Sequence, residues 1–332
     1  MIVKNFEFKK IKKEIFSFFL FYGDNQAFKE LYDLSNKKNK INVNDLGFFI
    51  GPILNSGGRL GKSSYATELL STKNSKIIKQ RSKQLLTLNI KRKKIENIIL
   101  NELDFEKMNK KKENVVIYYN PNISEGLLGI IAARLKDFFN KPAIVITNSN
   151  NLLKSSARSV YNYNIGRTIK KLLDNDIILN GGGHNMAAGF TLKKENLNLL
   201  KKFINEDFMK NKVHNNNLLK YVSEISVRAL NKDFMNDINR IGPFGNGNSA
   251  PVFLFRELKV IKHKILKEKY ISCILKSKAG TSINSILFDT LNNKVKYYLT
   301  NYKKHFNVVG QIDENFYNNK KNVQLIIKDL IL

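Results

Sequence analysis

The sequence predicts a mixed α/β unit with flanking helices, followed by an all-β barrel. Between residues 114 and 212, apolar strand-like runs alternate with amphipathic helical ones, the pattern of a mixed or parallel sheet covered by helices. Between 219 and 331 that pattern gives way to short strand-like runs, spaced as in a small barrel. A heavily charged helical stretch precedes both, from about 75 to 112.

Taken in order, residues 1–42 alternate basic and apolar segments without a domain pattern and read as an irregular N-terminal remnant. The apolar run 15–22 follows a lysine-rich start but lacks a small-residue cleavage site, so it reads as non-secretory. Residues 43–72 carry a glycine-rich motif, Gly51-Pro52-Ile53-Leu54-Asn55-Ser56-Gly57-Gly58-Arg59-Leu60-Gly61, opening a short helix through Leu70. In 73–113, Ile77, Leu85, Leu88, Ile95 and Ile99 recur at helical intervals on an otherwise polar surface, which predicts a long connecting helix.

Within 114–212 the pattern gives strands at 115–119, 142–147, 152–160 and about 187–192, with helices at 124–139, 165–173 and 194–211. The asparagines 215–217 read as a hinge. In 218–332, strand-like runs fall at 219–228, 252–265, 270–276, 282–288, 305–312 and 322–331, with a short helix at 231–239, and an OB-like barrel is the natural candidate.

The chain has 332 residues, a formal charge of +29 and an apolar share of 42%, enough for real cores. Such a positive excess points to a polyanionic partner, most simply nucleic acid, although lysine in a chain also rich in asparagine and isoleucine is partly compositional drift. One cysteine, Cys273, excludes a disulfide scaffold and a cysteine-built zinc site and fits a reducing cytoplasm. No apolar run reaches the ~18 residues of a membrane span.

The stretch Gly181-Gly182-Gly183-His184 has two readings. Successive glycine N–H groups can form a concave anion site beside a switchable histidine, or the glycines can make a tight turn. Two-metal phosphodiester hydrolysis needs clustered Asp and His ligands. The four histidines (His184, His214, His263 and His305) fall one per region, and Asp174-Asn175-Asp176 reads as a solvated helix terminus.

Four motifs in unbroken order resemble the C-terminal half of the RecJ family, single-strand-specific DNA exonucleases of the DHH phosphoesterase superfamily. Asp45–Pro52 with Asn55-Ser56-Gly57-Gly58-Arg59-Leu60-Gly61 resembles the end of the nuclease domain. Ser155-Ser156-Ala157-Arg158-Ser159 and Gly182-Gly183-His184 resemble two motifs of the DHH-associated domain, and Ile241–Asn248 with Pro251-Val252-Phe253 resembles the entry to the OB domain. Where the family usually carries a Trp-His pair, this chain has Ile123-Ser124.

The resemblance implies that Arg59, Ser156 and Arg158 bind phosphate, that Gly182, Gly183 and His184 line the cleft toward a nuclease domain, and that Asn55 and Phe244 touch DNA. It implies a role in 5′→3′ single-strand exonuclease chemistry of DNA repair and recombination, with Mn2+ or Mg2+ held by upstream motifs, Asp-His-His among them, that the matching region does not contain. The expectation is a cytoplasmic chain that binds single-stranded DNA but no metal, has no catalytic residues of its own, and is inactive alone; a separate chain carrying the nuclease domain is a further partner the resemblance admits. The alternative is a stand-alone single-strand-binding module. A relative of the alanyl-tRNA synthetases, which share a Gly-Gly-Gly-His domain, is disfavoured by the Asn55–Gly61 motif and the barrel. Phe253 and Phe255 alternate onto one strand face and read as core, whereas the lysine-rich stretches 262–269 and 318–321 are better placed for backbone contact.

Overall fold

A computed structural model describes residues 25–37, 41, 43–105, 108, 113–211, 219–242, 244–245, 248–266, 270–288, 293–302, 304–317 and 320–331. The chain divides into two compact units between His214 and Asn215. Among the described residues no helix is long and apolar enough to cross a membrane.

The first unit opens with helices α1 (Gln26–Leu34), α2 (Gly51–Arg59), α3 (Ser64–Ser71) and α4 (Ser75–Asn101). Asn25 and Asn74 cap α1 and α4 by accepting backbone N–H bonds, as short polar side chains do at helix starts. Of the expected remnant 1–42, α1 is ordered packing: Phe28 and Leu31 are fully buried in a core with Ile50, Ile53, Leu69 and Leu85. Residues 1–24, 38–40 and 42 lie outside the described residues.

Helix α4 carries a buried face that its largely polar sequence conceals. It buries Ile78, Ser82, Leu85, Asn89, Arg92, Glu96 and Ile99, alternately four and three residues apart, as one continuous seam. Four of these seven are polar, so apolar periodicity alone hides the buried face.

The α/β part follows as β1 (Val116–Tyr119), α5 (Glu125–Phe139), β2 (Ala143–Ser149), β3 (Leu152–Arg158), α6 (Ile165–Asp174), β4 (Asn180–His184), β5 (Ala187–Leu192) and α7 (Leu197–Asn211). The sheet order is β1-β2-β3-β5-β4, with β1 and β2 parallel across the α5 crossover and the other pairs antiparallel. Strand β2 lies inside the sheet between β1 and β3: Ala143 and Val145 enter the core under α5, while Ile144 and Ile146 enter the core with α6 and α7. Its continuous apolar run is the signature of a strand buried on both faces.

One element overturns the local reading. Asn180–His184 is an edge strand paired antiparallel with β5, from Asn180 opposite Thr191 to His184 opposite Ala187. Glycine disfavours strands, and tertiary close approach overrides that preference. A Cβ on Gly183 would lie 2.5 Å from Ala188 Cβ, and one on Gly181 2.7 Å from Phe190 Cβ.

The second unit consists of β6 (Ser223–Glu224), α8 (Lys232–Arg240), β7 (Val252–Leu266), β8 (Tyr270–Ser277), β9 (Ser282–Leu287), α9 (Asn293–Asn301), β10 (Phe306–Tyr317) and β11 (Lys320–Ile331). Antiparallel β7–β8 and β8–β9 pairs, a parallel β9–β11 pair, and antiparallel β11–β10 and β10–β7 pairs close five strands on themselves. This closed five-stranded barrel, with α9 between its third and fourth strands, is an OB fold. The run at 219–228 shrinks to two strand residues followed by a 3-10 turn, and α9 had no sequence counterpart. Tyrosines such as Tyr297 and Tyr298 are enriched in strands, but burial of Val295 and Leu299 against the barrel favours a helix here.

Candidate phosphate site and nucleic-acid face

Alternation along β3 sends Ser155 and Ala157 into the core and leaves Ser156 and Arg158 half-buried on the opposite face. Register then carries this face across the sheet, because directly opposed residues of antiparallel strands share a face. Arg158 lies opposite Ala187, which lies opposite His184, and Ser156 lies opposite Gly189, which lies opposite Gly182. Arg158, Ser156, Gly182 and His184 therefore border one floor of small residues, and a Cβ on Gly182 would meet nothing within 4 Å. Gly183 belongs to the other face and serves hairpin packing, so the expected nest of successive glycine N–H groups gives way to a strand ladder.

Helix α5 supplies the wall. A Cβ at Gly129 would lie 2.7 Å from Arg158 Nη2 and 3.2 Å from Ser156 Oγ, and one at Gly126 would lie 2.4 Å from the Arg59 carbonyl oxygen. These two glycines, three residues apart, let α5 approach β3 and α2 together. Arg59 Nη1 donates to the Gly126 carbonyl at 2.9 Å, and Arg158 Nη1 donates to Ser156 Oγ at 3.2 Å and to the Ala157 carbonyl at 2.8 Å. Buried Ser56 Oγ lies 2.6 Å from the Ile53 carbonyl of its own helix and 3.1 Å from the Leu85 carbonyl of α4, so its hydroxyl can donate within α2 or across to α4. Asn55 is exposed on α2, four residues before Arg59 and hence on the same helix face.

Burial holds both guanidinium groups below the ordinary arginine range; for Arg59 the neighbouring Arg92 and Arg158 add to this, against Glu96. Among the described residues no carboxylate forms an ion pair with Arg59 or Arg158. Two half-buried, charged forks on either side of the α5 glycines, one of them bonded to the Ser156 hydroxyl, suit an oxyanion. His184 is exposed and its Nδ1 accepts the Met186 N–H at 3.3 Å.

In the barrel, Phe253 and Phe255 are core residues, and Phe244 is partly buried against that core instead of standing free. An aromatic pair the sequence reading missed lies outside: Tyr270 and the 52% exposed Phe288, with ring centroids 5.5 Å apart at 77°. Register puts Lys264 opposite Ser272 and Lys262 opposite Ile274, on the same outer face as Tyr270. Alternation along β8 marks Tyr270 as outward, but Phe288 follows the end of β9 and only the β8–β9 register brings it near. Residues 267–269 and 318–319, the connections between the first two and the last two barrel strands, lie outside the described residues. Among the described residues no group of three or more His, Cys, Asp or Glu side chains could hold a metal ion, so the divalent ions of the resemblance have no fitting donor set there.

Comparison with known proteins agrees with the fold of both units. Residues 112–210 match the DHHA1 domain and residues 223–329 match the RecJ OB domain. The single-stranded-DNA-specific exonuclease RecJ of Bacillus subtilis is 26% identical over 325 residues, covering 91% of this chain and 38% of that relative. Its counterpart from Escherichia coli is 25% identical, covering 91% of this chain and 54% of that relative. The chain thus spans about half or less of these relatives. The crystal structure of Thermus thermophilus RecJ in complex with Mn2+ superposes with a TM-score of 0.75 at 18% identity, over 92% of this chain and 44% of that one. With a DHHA1 domain followed by a RecJ OB domain, and RecJ relatives matching along nine-tenths of its length, the chain carries the two domains, in order, of the part of RecJ that it resembles.

Proposed function

We propose that this chain binds single-stranded DNA, receiving a terminal phosphate at Arg59, Ser156 and Arg158 and gripping the strand on the outer face of β7, β8 and β9. The observation that carries the reading is that α5 meets two half-buried arginines from distant segments, Arg59 at Gly126 and Arg158 with the Ser156 hydroxyl at Gly129, and that among the described residues neither forms an ion pair with a carboxylate. On the barrel, Tyr270 and Phe288 offer stacking surfaces and Lys262 and Lys264 offer backbone contacts, the combination that sequence-tolerant strand binders use. OB folds bind oligonucleotides on the face of their second and third strands, which are β8 and β9 here. In this reading the chain is the substrate-handling part of a 5′→3′ exonuclease of DNA repair and recombination. The metal-bearing motifs, and with them hydrolysis, come from a separate nuclease domain.

Titration of the full chain with labelled oligodeoxynucleotides tests this. Affinity is expected to fall steeply with salt, with a log–log slope of about −0.7 per neutralised phosphate. Arg158→Ala is expected to weaken a 5′-phosphorylated strand by about 1–2 kcal/mol more than the same strand ending in a hydroxyl, because a charge-assisted bond is lost only where that phosphate exists. Equal losses on both strands would make Arg158 a structural residue, and a salt-insensitive affinity would remove the electrostatic strand contact.

A further inference from the structure

Between α6 and α7, on the face of the sheet away from Ser156 and Arg158, lies a polar cleft of about 200 Å3. At about 30 Å3 per water this is the volume of roughly six or seven waters, room for one heterocyclic base and too little for a peptide or a sugar chain. Its floor is a closed network around the buried carboxylate of Asp207. Tyr163 Oη and Thr168 Oγ1 each lie 2.8 Å from Asp207 Oδ2, while Lys171 Nζ and Asn211 Nδ2 donate to Oδ1 at 2.6 and 2.9 Å. These partners satisfy the carboxylate, tie α6 to α7 and balance its charge.

The mouth is built differently. Tyr161 is 88% exposed and makes no ring contact among the described residues, yet its loop is held at the base. Ser159 Oγ donates to the Tyr163 carbonyl at 2.6 Å, and the Ser159 N–H donates to the Met186 carbonyl at 2.9 Å. Asn185 Oδ1 accepts from Asn164 Nδ2 at 2.7 Å, which leaves the Asn185 Nδ2 group unused. The Asn162 amide and the Asn211 Oδ1 likewise have no hydrogen-bond partner among the described residues, and Arg167 forms no ion pair there. A bare ring, unpaired amides and an unbalanced guanidinium add nothing to the fold, which the network beneath them already fixes.

We infer that this cleft is a nucleotide-binding site separate from the phosphate site: a base stacks on Tyr161, the asparagine amides bond its edge, and Arg167 meets the phosphate. Stacking on an aromatic ring serves any base, and an asparagine amide offers the donor beside an acceptor that base edges match. A simple anion would engage Arg167 and leave the ring and the amides idle. A peptide would need apolar pockets, and every side chain lining the cleft carries a polar group. The site stands without Arg59, Ser156 or Arg158, which lie across the sheet. Its nucleotide is either free or part of a bound strand.

The test uses the full chain labelled with fluorotyrosine, with the fluorine NMR signal of Tyr161 identified by its loss in Tyr161→Phe. Titration with dAMP is expected to shift that signal saturably, and deoxyribose 5-phosphate, which lacks the base, to need about tenfold more for the same shift. Asn162→Ala and Arg167→Ala are each expected to weaken dAMP about fivefold, and Arg167→Ala to leave deoxyadenosine unchanged. Arg167 is exposed, so its variant carries the test if Asn162→Ala does not fold. A deoxyadenylate dodecamer that shifts the Tyr161 signal places a base of the bound strand in the cleft, and a shift with dAMP alone makes the occupant a free nucleotide. No saturable shift with either ligand, an equal response to dAMP and deoxyribose 5-phosphate, or a dAMP response unchanged in both variants would overturn the inference. None of these outcomes bears on the phosphate site, which is read from 5′-phosphate discrimination at Arg158.

Discussion

Phe255→Ala is expected to destabilise the barrel by about 3–5 kcal/mol, the usual cost of emptying a fully buried phenylalanine site. Phe255 has no exposed surface and sits on β7, the strand that pairs with both β8 and β10, where it lies opposite Val308. The cavity opens at the seam that closes the barrel, with Leu275, Phe306 and Leu325 in the same core. Because a domain is stable by only about 5–15 kcal/mol in total, this change moves the barrel near its unfolding threshold. Hydrogen exchange through a urea titration of the full chain resolves the two units. Amides of β7–β11 are expected to lose protection early while those of β1–β5 do not. A barrel transition shifted by less than about 1 kcal/mol would mean that the site collapses without a cavity.

The two glycines of α5 are expected to respond in opposite directions. Gly126→Ala places a methyl 2.4 Å from the Arg59 carbonyl oxygen and 2.7 Å from its Cα, both backbone atoms, so α2 must retreat. Overpacking of this kind costs about 1–3 kcal/mol, more than the roughly 1 kcal/mol gained by replacing glycine within a helix. Gly129→Ala meets Arg158 Nη2, the free end of a long side chain, which can swing aside. That variant is expected to gain up to about 1 kcal/mol of stability from helix propensity. Both are expected to lose discrimination for a 5′-phosphate, the first by displacing Arg59 and the second by pushing Arg158 away from Ser156. Thermal melts beside binding titrations check the pair. Equal stability in the two variants would deny the close contact of α2 with α5.

Much of this architecture was readable because local pattern and tertiary role coincide. The apolar run of β2 is what a strand covered on both faces requires, and alternation in β3 already put Ser156 and Arg158 together. The bounds of β7, β8, β9 and β11 came out close for the same reason, with Phe253 and Phe255 on the inner face. The rest depends on contacts between distant segments. Gly181–Gly183 form a strand only because β5 and α6 approach too closely for side chains. Arg92 and Glu96 look like solvent-facing charges until α5 covers them, and Tyr270 meets Phe288 only through the β8–β9 register. The grouping of Arg59 with Arg158 rested on family resemblance; in the structure it follows from two glycines of α5, a helix in which the sequence reading had singled out neither.

Barrel closure also fixes the order in which its parts become useful. Strand β11 is last in the chain yet lies between β9 and β10, parallel to the first and antiparallel to the second. During synthesis β7, β8 and β9 can form a meander as they emerge, but β9 presents an open edge until residues 320–331 arrive. Pairing Gln324 with Asn284 reaches across helix α9 and strand β10, a non-local contact of the kind that slows folding toward milliseconds or longer. The nascent unit therefore passes through a stage with an exposed strand edge, the template on which chains aggregate. A ribosome pausing just short of β11 is expected to prolong that stage.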